Sequence, residues 1–448
     1  MAQTSIILIA GLFFLIRYEP SELDTEVNRS AIVLWVCLIT LIPILLAYLT
    51  RRWANLRITI VFEVLSLIGL VCTLYLLHLP DFVNKQFAFL EPVHHSREIL
   101  PFIPFFVSLL GIRFVMYDGL HFTKHFPTHT RYGIRFVMHG LRKSLEQSWE
   151  YLGFNFRMLL LPLFPLLFVN AVQDFTHLFP EQIGAYVGLA LLLPLIMLPF
   201  VFAPLLMQFL WKTEPLTDTV LKQKLQLLTD RSGMKYRDIG VWQTGSLSIA
   251  NAAVAGIIPR NRKVFITDTL LHNFPDEQIE TIVAHEIGHI RHKHLLVSTL
   301  LVLGYLLSSV IFYRLVMEPL NESLAGFPIL LSIISILFFV LYFKVLYNFL
   351  SRRFEHQADL YAVDLTDNQE AFKSALENLS SFSSLPKPIR FILELFETHP
   401  SLERRLSFLN RTDKGEKSVH RYRKCLLEVQ VLIVSIPVLI FLIYLMFR

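Results

Sequence analysis

Long apolar runs alternate with polar stretches along the chain. Seven runs reach the length of about 20 residues that a helix needs to cross a bilayer. They lie at residues 31–50, 58–79, 99–117, 185–208, 295–317, 326–348 and 426–447. Two shorter runs, 4–16 and 158–172, are counted with them. The pattern therefore predicts a polytopic helical membrane protein with about nine spans.

Composition agrees with this prediction. Hydrophobic residues make up 54% of the 448 positions and charged residues only 17%, against roughly 25% charged in an ordinary soluble domain. This composition argues against a soluble globular enzyme. The net charge of +5 comes without a basic motif, so we expect no nucleic-acid partner. Cys37, Cys72 and Cys425 share no metal-ligand spacing, and we expect buried, unpaired thiols.

Basic residues outside the apolar runs indicate the orientation in the membrane. Lys and Arg collect on the cytoplasmic side, and here they cluster between the second and third spans and between the fourth and fifth. The alternate loops are acidic or nearly neutral. With a cytoplasmic N-terminus, the polar stretches 211–294 and 351–424 both face the cytoplasm and can meet. Glu63 falls within the third span near Arg57, and we expect its carboxylate to reach the interface.

The first polar stretch contains a metal-binding motif. Residues 275–277, Pro-Asp-Glu, are typical of the first turn of a helix, and apolar residues then recur at helical spacing. His285-Glu286-Ile287-Gly288-His289 lies on this helix. The two histidines project side by side, whereas Glu286 turns away and is free to act on a water at the metal. A random chain of this composition would contain only about 0.03 such pentads, so chance is a poor explanation.

A catalytic zinc site needs a third protein ligand and an open fourth position. The segment after His289 does not supply the ligand in the manner of metzincins, because Leu295 occupies the position of their third histidine. Beyond the next two spans, Glu355 and Asp359 lie one turn apart if the helix continues out of the membrane. That spacing suits one carboxylate to the metal and the other to a ligand histidine. His356 is the competing third ligand, with its side chain turned about 100° away.

Two further segments flank these motifs. Residues 251–256 and 264–267 indicate two short strands joined by a turn, and an exposed strand edge can add a peptide as a further strand. Downstream, Thr398-His399-Pro400 indicates the start of a helix. By itself, this pattern makes His399 a capping or packing residue.

These four motifs, in their order along the chain, resemble the integral-membrane gluzincin peptidases that include the CAAX prenyl proteases and the heat-shock protease HtpX. The likeness covers residues 213–409, under half of the chain. It implies that His285, His289 and Glu355 bind one Zn2+ ion per chain, with Glu286 as the catalytic base. Asp359 then becomes the partner of a ligand histidine.

The resemblance also implies contacts with a substrate. Asn251, Ala252 and Gly256 match the segment that forms an edge strand and aligns the substrate backbone. His399 and Arg405 match the segment whose histidine and arginine contact the bound peptide, where one of them stabilises the oxyanion during catalysis. The first 200 residues match neither of the membrane layouts known in the family.

The expected fold class is mainly α: a polytopic membrane helical protein with a cytoplasmic α+β, zincin-like catalytic domain formed by two insertions. The expected domains are an N-terminal membrane region of about six spans, a first catalytic part, a two-span hairpin, a second catalytic part with the third ligand and a C-terminal span. Their bounds are 1–210, 211–294, 295–350, 351–424 and 425–448.

The expected function is zinc-dependent hydrolysis of peptide bonds in membrane-associated protein substrates at the cytoplasmic face. A bacterial inner membrane suits the resemblance best. One alternative is a CAAX-type protease that processes prenylated proteins. Another, from a different class, is a transporter or scaffold with a vestigial metal site, although the chain retains Glu286 and lacks paired polar segments at mid-membrane.

Overall fold

The computed structural model describes residues 29–50, 56–86, 99–125, 149–157, 211–244, 249–256, 258–323, 327–382 and 398–412, with isolated positions elsewhere. The chain divides into two compact units. One comprises Met1–Pro199 with Pro328–Ser332, and the other comprises Phe200–Phe327 with Ile333–Arg448. The expected spans at 4–16, 158–172, 185–208 and 426–447 lie largely outside the described residues.

Helices build most of the described part of the first unit. They are α1 (Arg29–Thr50), α2 (Leu56–Tyr75), α3 (Leu79–Gln86) and α4 (Ile103–His125). Helices α1, α2 and α4 pack on one another in pairs. Two glycines allow close approach: Gly69 faces the side chain of Ile39, and Gly111 faces that of Ile44.

A buried ion pair joins α2 to α4. Glu63 is fully buried and accepts a hydrogen bond of 2.5 Å from Nε of Arg113. The hydroxyls of Ser66 and Ser108 lie 2.7 Å apart between the same two helices. The expectation that Glu63 reaches the interface is therefore wrong. A cationic partner on the neighbouring helix satisfies the carboxylate in place, so the side chain has no need to extend toward water.

A four-stranded sheet lies in the second unit. Its strands are β1 (Thr213–Pro215), β2 (Asp238–Trp242), β3 (Ala252–Ala255) and β4 (Lys263–Thr267), in the spatial order β1-β2-β4-β3. Strand β4 pairs parallel with β2 and antiparallel with β3. The two strands expected from the sequence, with a turn between them, are confirmed. Because β3 is at the edge, one side of its backbone faces away from the sheet.

The helices from residue 211 onward include those that carry the candidate ligands. They are α5 (Thr219–Ser232), α6 (Asp268–Asn273), α7 (Asp276–Arg291), α8 (His294–Phe312), α9 (Glu318–Ser323), α10 (Pro328–Val340), α11 (Asn348–Thr366), α12 (Gln369–Phe382) and α13 (Leu402–Thr412). Helix α7 begins at Asp276 after Pro275, as the sequence predicts, and buries Ile279, Val283 and Ile287 in the core.

Helices α7 and α11 cross at very short range. A Cβ placed on Gly288 would lie 3.1 Å from Cα of Ala358 and 3.2 Å from Cβ of Tyr361. A Cβ at these separations would be tighter than most such contacts, so glycine favours the close approach of the two backbones. The crossing brings one turn of α7 and one turn of α11 face to face.

Four described helices are long and apolar enough to cross a membrane, and the chain is a membrane protein. They are Ile32–Thr50, Ile58–Tyr75, His294–Asn321 and Ile329–Thr366. The helix Leu100–Met116 is apolar but shorter. The helix Ile329–Thr366 has 38 residues and is about 57 Å long, nearly twice the hydrocarbon thickness of about 30 Å. Its polar end, α11, therefore projects beyond the apolar part, as expected.

Candidate metal centre

Three side chains from two helices converge where α7 crosses α11. His285 and His289 follow one another on α7, with their Nε2 atoms 3.1 Å apart. Glu355 on α11 places one carboxylate oxygen 3.6 Å from Nε2 of His285 and the other 3.6 Å from Nε2 of His289. The structure thus brings together the three residues that the sequence analysis expected as metal ligands.

The spacing of these atoms suits one zinc ion. Ligand atoms in tetrahedral sites lie about 2.0 to 2.2 Å from zinc, which separates them from each other by about 3.4 Å on average. The observed separations of 3.1 and 3.6 Å bracket that value. Two imidazoles and one carboxylate are also the donor set of hydrolytic zinc sites, in which the fourth position stays open. The residues present therefore fit zinc.

Asp359 supports the first histidine. Its Oδ1 atom lies 3.0 Å from Nδ1 of His285, on the side of the ring opposite to the cluster. Asp359 is fully buried, and Arg405 of α13 binds both of its oxygens, with Nε donating to Oδ2 at 2.9 Å. A contact of this kind orients an imidazole and, where the histidine binds a metal, raises its basicity as a ligand.

A series of polar side chains, the polar chain, extends from His289. The Nδ1 atom of His289 is 2.9 Å from Nδ1 of His294, and Nε2 of His294 is 2.9 Å from Oε1 of Gln357. The Nε2 atom of Gln357 then lies 3.1 Å from Nδ1 of His292. Sequence reasoning missed these residues, because helical spacing places Gln357 on the far side of α11 from the third ligand.

Only the tertiary fold brings His294 back to this chain. Lys293 has a φ of 57° and turns the chain sharply between α7 and α8. His294 follows it directly and is buried at the start of a helix that is otherwise apolar. A histidine at the head of an apolar span was the signal available in the sequence, since such a group needs a polar partner.

Of the other site residues expected from the sequence, His399 and Arg405 lie near the cluster and the competing ligand lies outside it. His356 packs its ring against Phe408 at 4.2 Å and stays outside the cluster. His399 lies with Nδ1 3.1 Å from Oε1 of Glu355, although its side chain is 66% exposed. Arg405 also approaches the cluster, with one guanidinium nitrogen 3.8 Å from Glu355.

A cavity of about 570 Å³ opens onto the cluster. Asn251 and Ala252 of the edge-strand segment form part of its wall, and Glu286, His399 and Arg405 form another part. Leu295, Ser298 and Tyr347, from the helices of the membrane hairpin, also line it.

Gly256 ends the edge-strand segment and has a backbone role. Its φ of 110° is in the region that favours glycine. An added Cβ would lie 2.9 Å from Cα of Arg262, and the Gly256 carbonyl accepts a hydrogen bond from Nε of that arginine. The geometry of the turn between β3 and β4 therefore accounts for this glycine.

Burial and charge act differently on the neighbouring groups. Burial opposes the charge of His285, but its contacts with Asp359 and Glu355 outweigh burial and raise its pKa to about 9. Burial lowers the pKa of His289 well below its usual value, and the adjacent His285 adds to this. The two carboxylates thus draw one proton to the cluster. A metal ion bound there replaces that proton, because ligand histidines must be neutral.

The groups around the cluster are shifted as well. Burial raises the pKa of Glu286 to about 7. The hydrogen bond to Glu355 raises the pKa of His399. Burial opposes the charge of Arg405, but Asp359 outweighs it and raises the arginine's pKa. Shifted acid-base groups around one cavity are typical of an active site.

A membrane protein with a His-Glu-x-x-His helix, a distal carboxylate on a second helix and a cavity over both has the architecture of a membrane metalloprotease. Residues 215–413 match the family model described as Peptidase family M48. This part of the chain is a peptidase M48 domain.

Similar proteins have matching descriptions. The uncharacterized metalloprotease YhfN of Bacillus subtilis is 28% identical over 220 residues, covering 45% of this chain and 50% of that protein. Protease HtpX of Alcanivorax borkumensis is 25% identical over 212 residues, covering 42% and 69%. CAAX prenyl protease 1 of Saccharomyces cerevisiae is 24% identical over 280 residues, covering 56% and 60%. The chain thus spans between half and about two thirds of these relatives.

The crystal structure of S. mikatae Ste24p matches with a TM-score of 0.41 and 20% sequence identity, covering 71% of this chain and 89% of that one.

Proposed function

We propose that the protein is a zinc metalloendopeptidase that cleaves membrane-associated protein substrates at the cytoplasmic face of a bacterial inner membrane. One observation carries the proposal: His285, His289 and Glu355 converge beside a cavity that Glu286 also lines. On this proposal, residues 211–294 and 351–424 are two parts of one catalytic domain, joined by a membrane hairpin.

Each residue has a distinct proposed role. A zinc ion held by His285, His289 and Glu355 supplies the Lewis acidity that activates water and polarises a peptide carbonyl. Glu286 removes a proton from the attacking water and delivers it to the leaving amine. Its raised pKa, about 7, suits a group that both accepts and donates a proton near neutral pH.

The other side of the cavity is proposed to hold the substrate. The edge-strand segment with Asn251 and Ala252 pairs with an extended substrate backbone, as sheet edges do with peptides. His399 and Arg405 line the same cavity and donate to the oxygen that becomes negative during the reaction. Gly256 shapes the turn that presents this strand.

Replacing Glu286 tests the proposed function. We expect Glu286→Gln to retain zinc but to lower the cleavage rate about 10²- to 10⁴-fold, the usual contribution of a general base. The measurement compares cleavage of an unstructured, membrane-tethered reporter by detergent-purified proteins that are chelated and then supplied with zinc. Glu277→Gln is the matched control, because Glu277 is exposed in the first turn of the same helix. Wild-type activity in the Glu286 variant would refute the assignment.

Prenylated proteins are the second candidate substrates. The similarity to CAAX prenyl protease 1 over 56% of the chain favours them. A farnesylated peptide and its unlipidated form, offered in competition, distinguish the two candidates. A strong preference for the farnesylated peptide assigns a processing protease, and equal cleavage assigns a general endopeptidase. A chain that binds no zinc and cleaves neither peptide is the vestigial scaffold.

A further inference from the structure

If the proposed metal centre is correct, the donor and the acceptor of each hydrogen bond in the polar chain that extends from His289 are fixed. A histidine that binds a metal through Nε2 carries its proton on Nδ1. His289 must then donate from Nδ1, and His294 must accept at its own Nδ1, 2.9 Å away. His294 therefore carries its proton on Nε2.

The next group in the chain is suited to that proton. The Nε2 atom of His294 faces Oε1 of Gln357, which only accepts hydrogen bonds, at 2.9 Å. The amide nitrogen of Gln357 is then directed to Nδ1 of His292, 3.1 Å away. From Nδ1 of His289 to Nδ1 of His292, each donor meets an acceptor. The opposite tautomer of His289 would place its proton on Nε2, where the metal binds.

His294 is also held firmly in place. It is 3% exposed, and its ring stacks on Phe354 with centroids 4.3 Å apart and planes 10° apart. Gln357 is 9% exposed and lies on α11, the helix that carries Glu355. His294 thus contacts one ligand directly and is fixed by the helix that carries another.

We propose that His294, held by Gln357, is a positioning residue that sets the tautomer and the ring orientation of His289. It does for His289 what Asp359 does for His285, but with neutral groups. On this proposal, the protein holds both ligand histidines, His285 and His289, in their binding orientation before the metal binds. Such orientation raises the affinity for the metal.

Two substitutions of His294 test the proposal, because the positioning role and a packing role predict opposite orders of metal affinity for the two variants. His294→Phe keeps a ring to stack on Phe354 but removes the acceptor. His294→Asn loses the ring but places an amide oxygen close to the site of Nδ1. The full-length protein in detergent is chelated and titrated with Co2+, which reports affinity and, by visible absorption, the geometry of the site. Zinc affinity follows by competition.

We expect His294→Phe to weaken Co2+ binding about 10- to 100-fold, the usual cost of losing a partner of a metal ligand, and to alter the absorption spectrum. His294→Asn should bind more tightly than His294→Phe. A role in packing alone predicts the reverse order, because only Phe preserves the stack. His356→Phe is the matched control: it replaces a histidine on α11 whose ring packs on Phe408 outside the cluster.

The outcomes separate the two proposals. If the wild-type protein binds no Co2+ or zinc, the proposed metal centre fails and the positioning role fails with it. If the wild type binds metal, and the affinity of His294→Phe equals or exceeds that of His294→Asn, only the positioning role is refuted. Should the His294 variants fail to fold, Gln357→Met and Gln357→Glu decide. Weaker binding by the Met variant alone supports the role, and equal binding by both refutes it.

Discussion

Asp359 has no contact with water and depends on its neighbours for its charge. His285 and Arg405 both face it, but a histidine that binds a metal is neutral and offers only a hydrogen bond. Arg405 is then the cation that balances Asp359. The same arginine lies 3.8 Å from Glu355. It therefore stabilises the domain in addition to its proposed contact with the substrate.

Removing this arginine should destabilise the catalytic domain. We expect Arg405→Met to lower its stability by about 3 to 5 kcal/mol, because the substitution leaves a buried carboxylate without its cation. Thermal and urea unfolding of the zinc-loaded protein in detergent, in which His285 is neutral, measure the change. Arg404→Met is the matched control, since Arg404 is an exposed neighbour on the same helix. Equal stability of the two variants would contradict the prediction.

At the residue scale, spacing predicts contacts within a helix better than contacts across a turn. The pairs His285 with His289 and Glu355 with Asp359 lie one turn apart in the sequence, and the structure places each pair on one helical face. His294 lies only five residues after His289. It returns to that histidine through the backbone turn at Lys293, which no periodic pattern encodes.

The crossing of α7 and α11 determines the element-scale geometry of the site. Gly288 lies between His285 and His289 and faces the backbone of Ala358. Helix propensity alone would disfavour a glycine here by about 1 kcal/mol relative to alanine. The close approach of α11 explains why the glycine is nevertheless suited to this position.

A larger residue at position 288 should separate the ligands. We expect Gly288→Val to weaken zinc binding by at least tenfold, because a side chain there pushes α11, and Glu355 with it, away from the histidines. A zinc competition titration gives the affinity. Gly153→Val is the control, since a Cβ at Gly153 meets no atom of the described residues within 4 Å. Unchanged zinc affinity in the Gly288 variant would show that the crossing can relax.

Sequence patterns at this scale predicted α7, the strand pair β3 and β4, and the extension of the last hairpin helix into α11. They did not predict that Glu63 would be buried. A single sequence shows that a carboxylate lies in an apolar helix, but the position of its partner depends on how two helices rotate against each other. Arg113 lies 50 residues away, and no local rule connects the two.

At the scale of the whole molecule, the hairpin between the two catalytic parts has a definite expected orientation. Helix α9 follows the first of its helices, and α12 follows α11. If both catalytic parts are cytoplasmic, α9 must lie on the opposite side of the membrane from α12. Basic and acidic loops predict this arrangement from the sequence, because charge sets orientation during insertion.

Single cysteines should reveal the two sides. In a variant without Cys37, Cys72 and Cys425, we expect Ser323→Cys on α9 to react with a membrane-impermeant maleimide in intact cells. Glu377→Cys on α12 should react only after lysis. Both positions are exposed, so burial does not confound the comparison. The reverse pattern would place the metal centre outside the cell and contradict the proposed localisation.

The two helices that carry the candidate ligands, α7 and α11, directly adjoin the two helices of the membrane hairpin. Only a tight turn separates α7 from the helix His294–Asn321, and Glu355 lies within the continuous helix Ile329–Thr366. A bilayer that is too thin or too thick for a helix changes its tilt. A change in the tilt of either hairpin helix shifts Glu355 relative to His285 and His289. The acyl-chain length of the host lipids should therefore modulate zinc affinity, which makes the metal centre responsive to membrane thickness.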